Sequence, residues 1–408
     1  MKKAEPNPKA NRNIMKLVYG VIILFLGMMV YMGYFLQIKR EDVINNSYNP
    51  RLDSFAERVT RGEILASDGT VLAQTQLDGE GNEVRVYPYG NLYDHVVGYS
   101  ARGKTGVEAL ANFYLLSSHV NLVEQAANLA AGEKNPGDCV YTTLDHELQQ
   151  AASSALGDRR GAVIAMEPDT GKILAMVSKP GYDPNTVEAD WESLASPENT
   201  QGQLLNRVTQ GLYPPGSTFK IVTALEYMRE RPQDYKDYHF DCDGVYENGE
   251  YQIRCYHSTA HGSQDFVRAF ANSCNGAFAN LGLNLELSGF AATAEDLLFN
   301  SSLPLSGLPY SKSSFVMKEG ADTWEILQTS MGQGATQITP IHNAMITAAI
   351  ANGGTLMKPY LLDRVENGAG EEIKKFLPEA YGELMTAGEA AGLTELMEAV
   401  VTEGTGSA

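Results

Sequence analysis

Hydrophobic residues recur along this chain with three different spacings, and each spacing predicts a different element. Residues 17–36 read LVYGVIILFLGMMVYMGYFL, without one charged side chain. A helix that is apolar on every side has no polar stripe for water, and at about 1.5 Å rise per residue this one spans a bilayer core. Residues 61–73 place short apolar groups on either side of Asp68-Gly69, which predicts a strand, a tight turn and a second strand. Gly103-Lys104-Thr105-Gly106 reads as a turn, and residues 107–116 as a helix after it. A new unit starts at Thr143-Leu144-Asp145, where Leu148, Ala151, Ala152 and Leu156 follow at helical spacing. Two unbroken apolar runs, residues 161–166 and 173–177, flank Glu167-Pro168-Asp169-Thr170-Gly171-Lys172 and predict a hairpin of buried strands. Beyond it the pattern is mostly helical with Gly- and Pro-rich loops. Residues 341–350 form a strongly apolar helix that Asn352-Gly353-Gly354 ends.

Composition narrows the picture. A chain of 408 residues suits two or three domains, and 43% hydrophobic with 20% charged residues is ordinary for a packed protein. The net charge of −19 excludes nucleic acid as a partner, because phosphate repels such a surface. Basic residues concentrate before the apolar segment: Lys2, Lys3, Lys9, Arg12 and Lys16, against Glu5 alone. That asymmetry keeps the N-terminus in the cytoplasm and sends the rest outside. A cleaved signal peptide is the rival, but its apolar region is shorter and a small-residue cleavage site follows it; here Gln37-Ile38-Lys39-Arg40 come next. The expected organisation is a cytoplasmic tail (1–16), a membrane helix (17–36), an extracytoplasmic pedestal (37–140) and a larger domain (141–408).

The stretch that carries chemistry is Tyr213-Pro214-Pro215-Gly216-Ser217-Thr218-Phe219-Lys220. Pro and Gly end what precedes, and a helix starts near Ser217. Serine and lysine three apart share a helix face. Serine is a weak nucleophile without a base, and a lysine serves when burial lowers its pKa. The helix N-terminus adds N–H groups for a developing oxyanion. Alone, the same residues read better as an N-cap and a solvated lysine, since Ser-x-x-Lys recurs often by chance. Downstream stands Ser273-Cys274-Asn275, preceded by His261-Gly262 and by residues 266–271, FVRAFA. Ser-x-x-K followed by Ser-x-Asn is a variant of the signature set of penicillin-binding proteins and class A β-lactamases.

With these motifs, the hairpin before Ser217 and Met331-Gly332-Gln333-Gly334 leading to Ile338-Thr339-Pro340, the chain resembles the class B penicillin-binding proteins. The resemblance implies an α/β fold of the α+β type: a D,D-peptidase/serine β-lactamase-like transpeptidase domain with an antiparallel sheet, beside a small pedestal and one membrane helix. It implies a peptidoglycan D,D-transpeptidase. Ser217 attacks a stem peptide ending in D-Ala-D-Ala, Lys220 takes the hydroxyl proton, Ser273 passes a proton to the leaving amine, and Asn275 holds Lys220 and the substrate amide. β-Lactams acylate the same serine, catalysis needs no cofactor, and a polytopic glycosyltransferase is the implied partner at the bacterial cell membrane.

The family's third motif, Lys-Thr/Ser-Gly, follows the second. Here that triplet occurs only as Lys104-Thr105-Gly106, upstream of Ser217, and reads as a Gly-flanked turn. The expected position falls soon after residues 401–406, and the sequence ends at Ala408. Two explanations stand: a fragment of a working enzyme, or a complete chain that acts as a non-catalytic scaffold in wall synthesis. A serine β-lactamase and a penicillin sensor are the other rivals. The anchor, the pedestal and residues 331–340 argue against the first, and the short cytoplasmic tail against the second.

Four cysteines remain, Cys139, Cys242, Cys255 and Cys274, with His257 and His261 among the last three. Cys242, Cys255, His261 and Cys274 make a Cys₃His set, a known composition for structural zinc, without the tight C-x-x-C spacing. A Cys242–Cys255 disulfide and inert buried thiols are the alternatives. His95, His119, His146, His239 and His342 are scattered and read as ordinary surface or core residues.

Overall fold

The computed structural model describes residues 8–35, 56–318 and 320–407. The first seven residues, and 36–55 with the Gln37–Arg40 stretch, lie outside the described residues. Helix α1 (Pro8–Tyr34) carries the apolar segment, with a mean hydropathy of 2.0 over Met15–Tyr34. Its large side chains face outward all round (Leu17 70%, Val30 73% exposed), so nothing among the described residues covers them. It is long and apolar enough to cross a membrane.

The pedestal begins with β1 (Val59–Thr60), β2 (Ile64–Leu65), β3 (Val71–Leu77) and β4 (Glu83–Val86). The turn expected at Asp68-Gly69 joins β2 to β3: Asp68 accepts from Thr70 N–H (2.9 Å), and Gly69 takes φ +89°. The expected helix over 107–116 forms as two pieces, α2 (Gly106–Leu110) and α3 (Asn112–Leu115), broken at Ala111. No Pro or Gly marks that break; tertiary contacts override the local pattern. Helix α4 (Leu122–Ala131), β5 (Asn135–Pro136) and β6 (Cys139–Thr142) complete this part of the chain.

The larger unit opens with α5 (His146–Leu156), whose N-terminus Asp145 caps by accepting from Leu148 N–H (2.8 Å). The hairpin follows as β7 (Gly161–Met166) and β8 (Ile173–Lys179), antiparallel from Gly161↔Lys179 to Met166↔Ile173. Helix α6 (Lys220–Glu230) runs through the core with every residue from Lys220 to Met228 buried. The segment after it departs from the helical expectation. It folds as β9 (His239–Cys242), β10 (Val245–Asn248), β11 (Tyr251–Arg254) and β12 (Gly262–Asp265), paired β9–β12 and β10–β11. Gly244 and Gly249, at φ +98° and +62°, supply the turns. Helices α7 (Phe266–Ala271), α8 (Asn275–Leu283), α9 (Leu287–Asp296), α10 (Thr323–Thr329) and α11 (Pro340–Ala351) come next. Strands β13 (Thr355–Met357), β14 (Leu362–Glu366), β15 (Glu372–Lys375) and β16 (Ala380–Glu383) precede α12 (Ala387–Thr402).

The expected boundary at 140/141 falls inside β6. The main sheet runs β15-β14-β6-β2-β3-β4, so two strands from beyond residue 360 complete the pedestal's sheet. Strand β14 pairs antiparallel with β6, which pairs parallel with β2. Ile64, Leu72, Val140 and Val365 are buried together on it. Helices α5 and α11 pack against the hairpin, and α8, α9 and α12 pack against α6. Phe219 sits among Phe290, Phe299 and Phe315, with ring centres 5.6–6.0 Å apart, and this cluster fixes the turn just before α6.

Candidate active site

Ser217 lies in a 3₁₀ turn, Gly216–Phe219, that runs into α6. Gly216 takes φ +60°, and its N–H donates to the Gly332 carbonyl (2.8 Å). Gly332 must be glycine: a Cβ there would stand 1.9 Å from the Gly216 oxygen, and its φ is +80°. Tyr213 and Ile338 exchange two backbone bonds (3.0 and 2.8 Å), so residues 331–338 brace the nucleophile's turn from outside. Buried Phe219 pins the turn, while Ser217 itself is exposed.

Lys220 is 1% exposed, and its ammonium meets four acceptors. Nζ lies 2.7 Å from the Ser273 carbonyl, 2.8 Å from Ser273 Oγ, 2.8 Å from Asn275 Oδ1 and 3.4 Å from Ser217 Oγ. Burial drives its pKa down to about 8, and the thiols of Cys274 and Cys255 pull weakly the other way. Ser273 Oγ in turn donates to Ser217 Oγ (2.9 Å), closing a ring of Ser217, Lys220 and Ser273. Ser273 sits at φ +50°, a left-handed conformation costly for serine, which aims its side chain back at Ser217. Asn275 is fixed through Nδ2, which donates to the Arg254 carbonyl (3.0 Å). All four expected catalytic residues therefore meet at one point.

Ser217, Ser273 and Asn275 line a groove of about 940 Å³ with Arg254, Tyr256, His257, Gln333 and Thr405, and Lys220 lies buried beneath them. Thr405 N–H donates to the Ala271 carbonyl (3.1 Å), and a Cβ on Gly404 would strike that oxygen at 2.1 Å, so residues 404–405 lie flat along the groove wall. Lys104-Thr105-Gly106 is elsewhere: Thr105 precedes α2, and Gly106 packs on the Val96 and Val97 carbonyls. Sequence reasoning missed the Gly216–Gly332 contact, the Arg254 carbonyl and the wall at 404–405. The glycine clusters around 332 and 404 were their only signal.

At one wall of the groove, which Cys255 and His261 line, Cys242, Cys255, His261 and Cys274 bring one donor atom each within 4.8 Å of one another. Cys242 Sγ stands 3.7 Å from Cys255 Sγ and 3.4 Å from His261 Nδ1, and Cys255 Sγ stands 3.7 Å from Cys274 Sγ. A disulfide needs about 2.05 Å, so none of these sulfurs is bonded to another. Tetrahedral zinc with Zn–S bonds of about 2.3 Å puts sulfurs about 3.8 Å apart, and the donor set fits that geometry. His257 is outside the cluster, with its ring against Tyr256. Of the other histidines, His95 and His342 are buried, and burial holds both well below the usual value, at about 4.

The family model for the penicillin binding protein transpeptidase domain matches residues 161–408, and that for the penicillin binding protein A dimerisation domain matches residues 61–140. The chain belongs to the class B penicillin-binding proteins. It is 33% identical to the peptidoglycan D,D-transpeptidase PbpA of Mycolicibacterium smegmatis, over 85% of this chain and 74% of that one. Among solved structures it superposes on penicillin-binding protein A of M. tuberculosis as an imipenem acyl-enzyme (TM-score 0.74, 30% identity, 85% and 83% covered). It also superposes on the D,D-transpeptidase domain of a peptidoglycan glycosyltransferase from Eggerthella lenta (TM-score 0.75, 32% identity, 86% and 83% covered).

Proposed function

We propose that this chain is a membrane-anchored peptidoglycan D,D-transpeptidase whose acyl-accepting group is Ser217. The observation that carries the reading is Lys220, buried without a carboxylate partner among the described residues and bonded to Ser273 and Asn275 beside Ser217 Oγ. Neutral Lys220 takes the Ser217 proton as Oγ attacks the carbonyl of the penultimate D-Ala. The peptide C–N bond breaks, Ser273 relays the proton to the departing D-Ala amine, and an ester to Ser217 remains. An amine of a neighbouring stem peptide then displaces Ser217 and forms the cross-link; Lys220 and Ser273 return the proton. A β-lactam follows the first half, its ring amide opening to leave the ester. The basic residues before the apolar segment of α1 support a cytoplasmic N-terminus. The implied supplier of glycan strands is a polytopic glycosyltransferase in the same membrane.

Incubating the full-length gene product with penicillin G should add the mass of one penicillin to a Ser217 peptide, and Ser217→Ala should abolish the adduct. Rapid turnover of a chromogenic cephalosporin without a stable adduct would make the protein a β-lactamase instead.

The Cys₃His cluster supports a second assignment. Cys242, Cys255, His261 and Cys274 hold a structural zinc ion that ties β9, the end of β11 and the start of α8 together. Cys274 lies between Ser273 and Asn275, so this clamp fixes both. Purification under reducing conditions should leave about one zinc per chain by elemental analysis; protein without zinc removes the assignment.

A further inference from the structure

Helix α4 has an apolar face that no described residue covers. Leu122, Val123, Ala126, Ala127, Leu129 and Ala130 fall on one side of it. Leu122, Val123 and Leu129 are each 81% exposed, and no residue of α4 is buried. Isolated helices of this length are marginal in water, so the local caps bear the load: Asn121 accepts from Val123 and Glu124 N–H (3.1 and 2.9 Å), and Gly132 ends the helix at φ +73°.

The position of α4 suggests what covers it. Asn128 Nδ2 donates to Asn135 Oδ1 (3.1 Å), and Asn135 opens β5, which pairs with β1 at Val59. Lys134 Nζ reaches the Ala56 carbonyl (2.9 Å), where the chain coming from α1 enters the pedestal. Only residues 35–55 separate that point from the membrane helix, a contour of about 70 Å at most. The only charge on α4 is Glu124, on the side away from the apolar face. A surface so placed, and so poor in charge, suits insertion by apolar area rather than ion pairing.

We propose that the apolar face of α4 lies in the headgroup boundary of the same membrane that α1 crosses, and so fixes the pedestal's orientation on that membrane. The proposal rests on the anchored reading of α1. The test uses the full chain reconstituted in phosphatidylcholine vesicles with acyl chains brominated near the headgroup, and two tryptophan variants, Val123→Trp and Glu124→Trp. The chain's own Trp191 and Trp324 supply the baseline to subtract. Added emission from Val123→Trp should shift to the blue and fall by about half in brominated vesicles, in low and high salt alike, while that from Glu124→Trp should stay unquenched. Equal quenching of the two, with the chain still resistant to alkaline carbonate extraction, overturns the docking and leaves the anchor intact. Extraction by carbonate overturns the anchor and the docking with it.

Discussion

Lys220 concentrates the chemistry into one titration. Its ammonium is stabilised by four oxygens yet has no carboxylate partner among the described residues, and burial lowers its pKa to about 8. In the proposed role of base, Lys220 acts only when neutral, so the sign is fixed. The rate of penicillin acylation should fall about tenfold per unit as pH drops below 8, and level off above it. Stopped-flow acylation between pH 6 and 10 checks this; a rate flat down to pH 6 would remove Lys220 as the base. Ser217 and Lys220 were legible in the sequence because their spacing is local. The left-handed turn at Ser273 was not, since no glycine or asparagine marks it and only the folded surroundings hold it there.

Among elements, the 331–334 stretch acts as a brace. Gly332 lies so close to Gly216 that the Ser217 turn and this loop share one volume. Gly332→Ala should cost about 3 kcal/mol of stability and slow acylation strongly, because both the positive φ and the clash must be relieved by moving the nucleophile's turn. Thermal unfolding and adduct formation measured together test it; unchanged acylation would mean that the loop does not position Ser217. The apolar helix α11 and the β7–β8 hairpin were readable from long, unbroken patterns. The hairpins over residues 239–265 were not: their strands are four residues long, polar on one side, and mixed with the thiols and histidines. The Cys₃His set was visible as composition, but its convergence depends on how those hairpins fold over α8.

At the scale of the molecule, the pedestal is held by a buried ionic knot. Glu108 is fully buried between Arg61 Nε (2.7 Å) and Arg85 Nε (2.7 Å), with Asn112 Oδ1 on Arg61 Nη1 (2.6 Å). Burial alone would raise its pKa, but the two guanidiniums hold it down to about 2. Glu108→Gln leaves two cations without their counter-ion and should destabilise the protein by about 3–5 kcal/mol in chemical denaturation at pH 7. A carboxylate depressed in the folded state contributes above its unfolded value and loses that contribution as pH falls toward about 2. The gap between wild type and variant should therefore narrow from pH 5 to 2, and a gap independent of pH would show that the knot acts only through packing. Charge and composition marked the long apolar helix α1. They could not reveal that β14 and β15 complete the pedestal's sheet, because strand pairing across such sequence distance leaves no local trace.

That shared sheet also sets an order of events during synthesis. Strand β6 emerges with one edge satisfied by β2, while its other edge waits for β14. Until residues 362–366 leave the ribosome, the nascent pedestal presents an open row of backbone donors and acceptors, a template for pairing with the wrong chain. Folding of this protein should therefore lean on whatever shields unpaired strands during synthesis, and a chain halted anywhere between β6 and β14 should be found aggregated or degraded rather than as a free-standing pedestal.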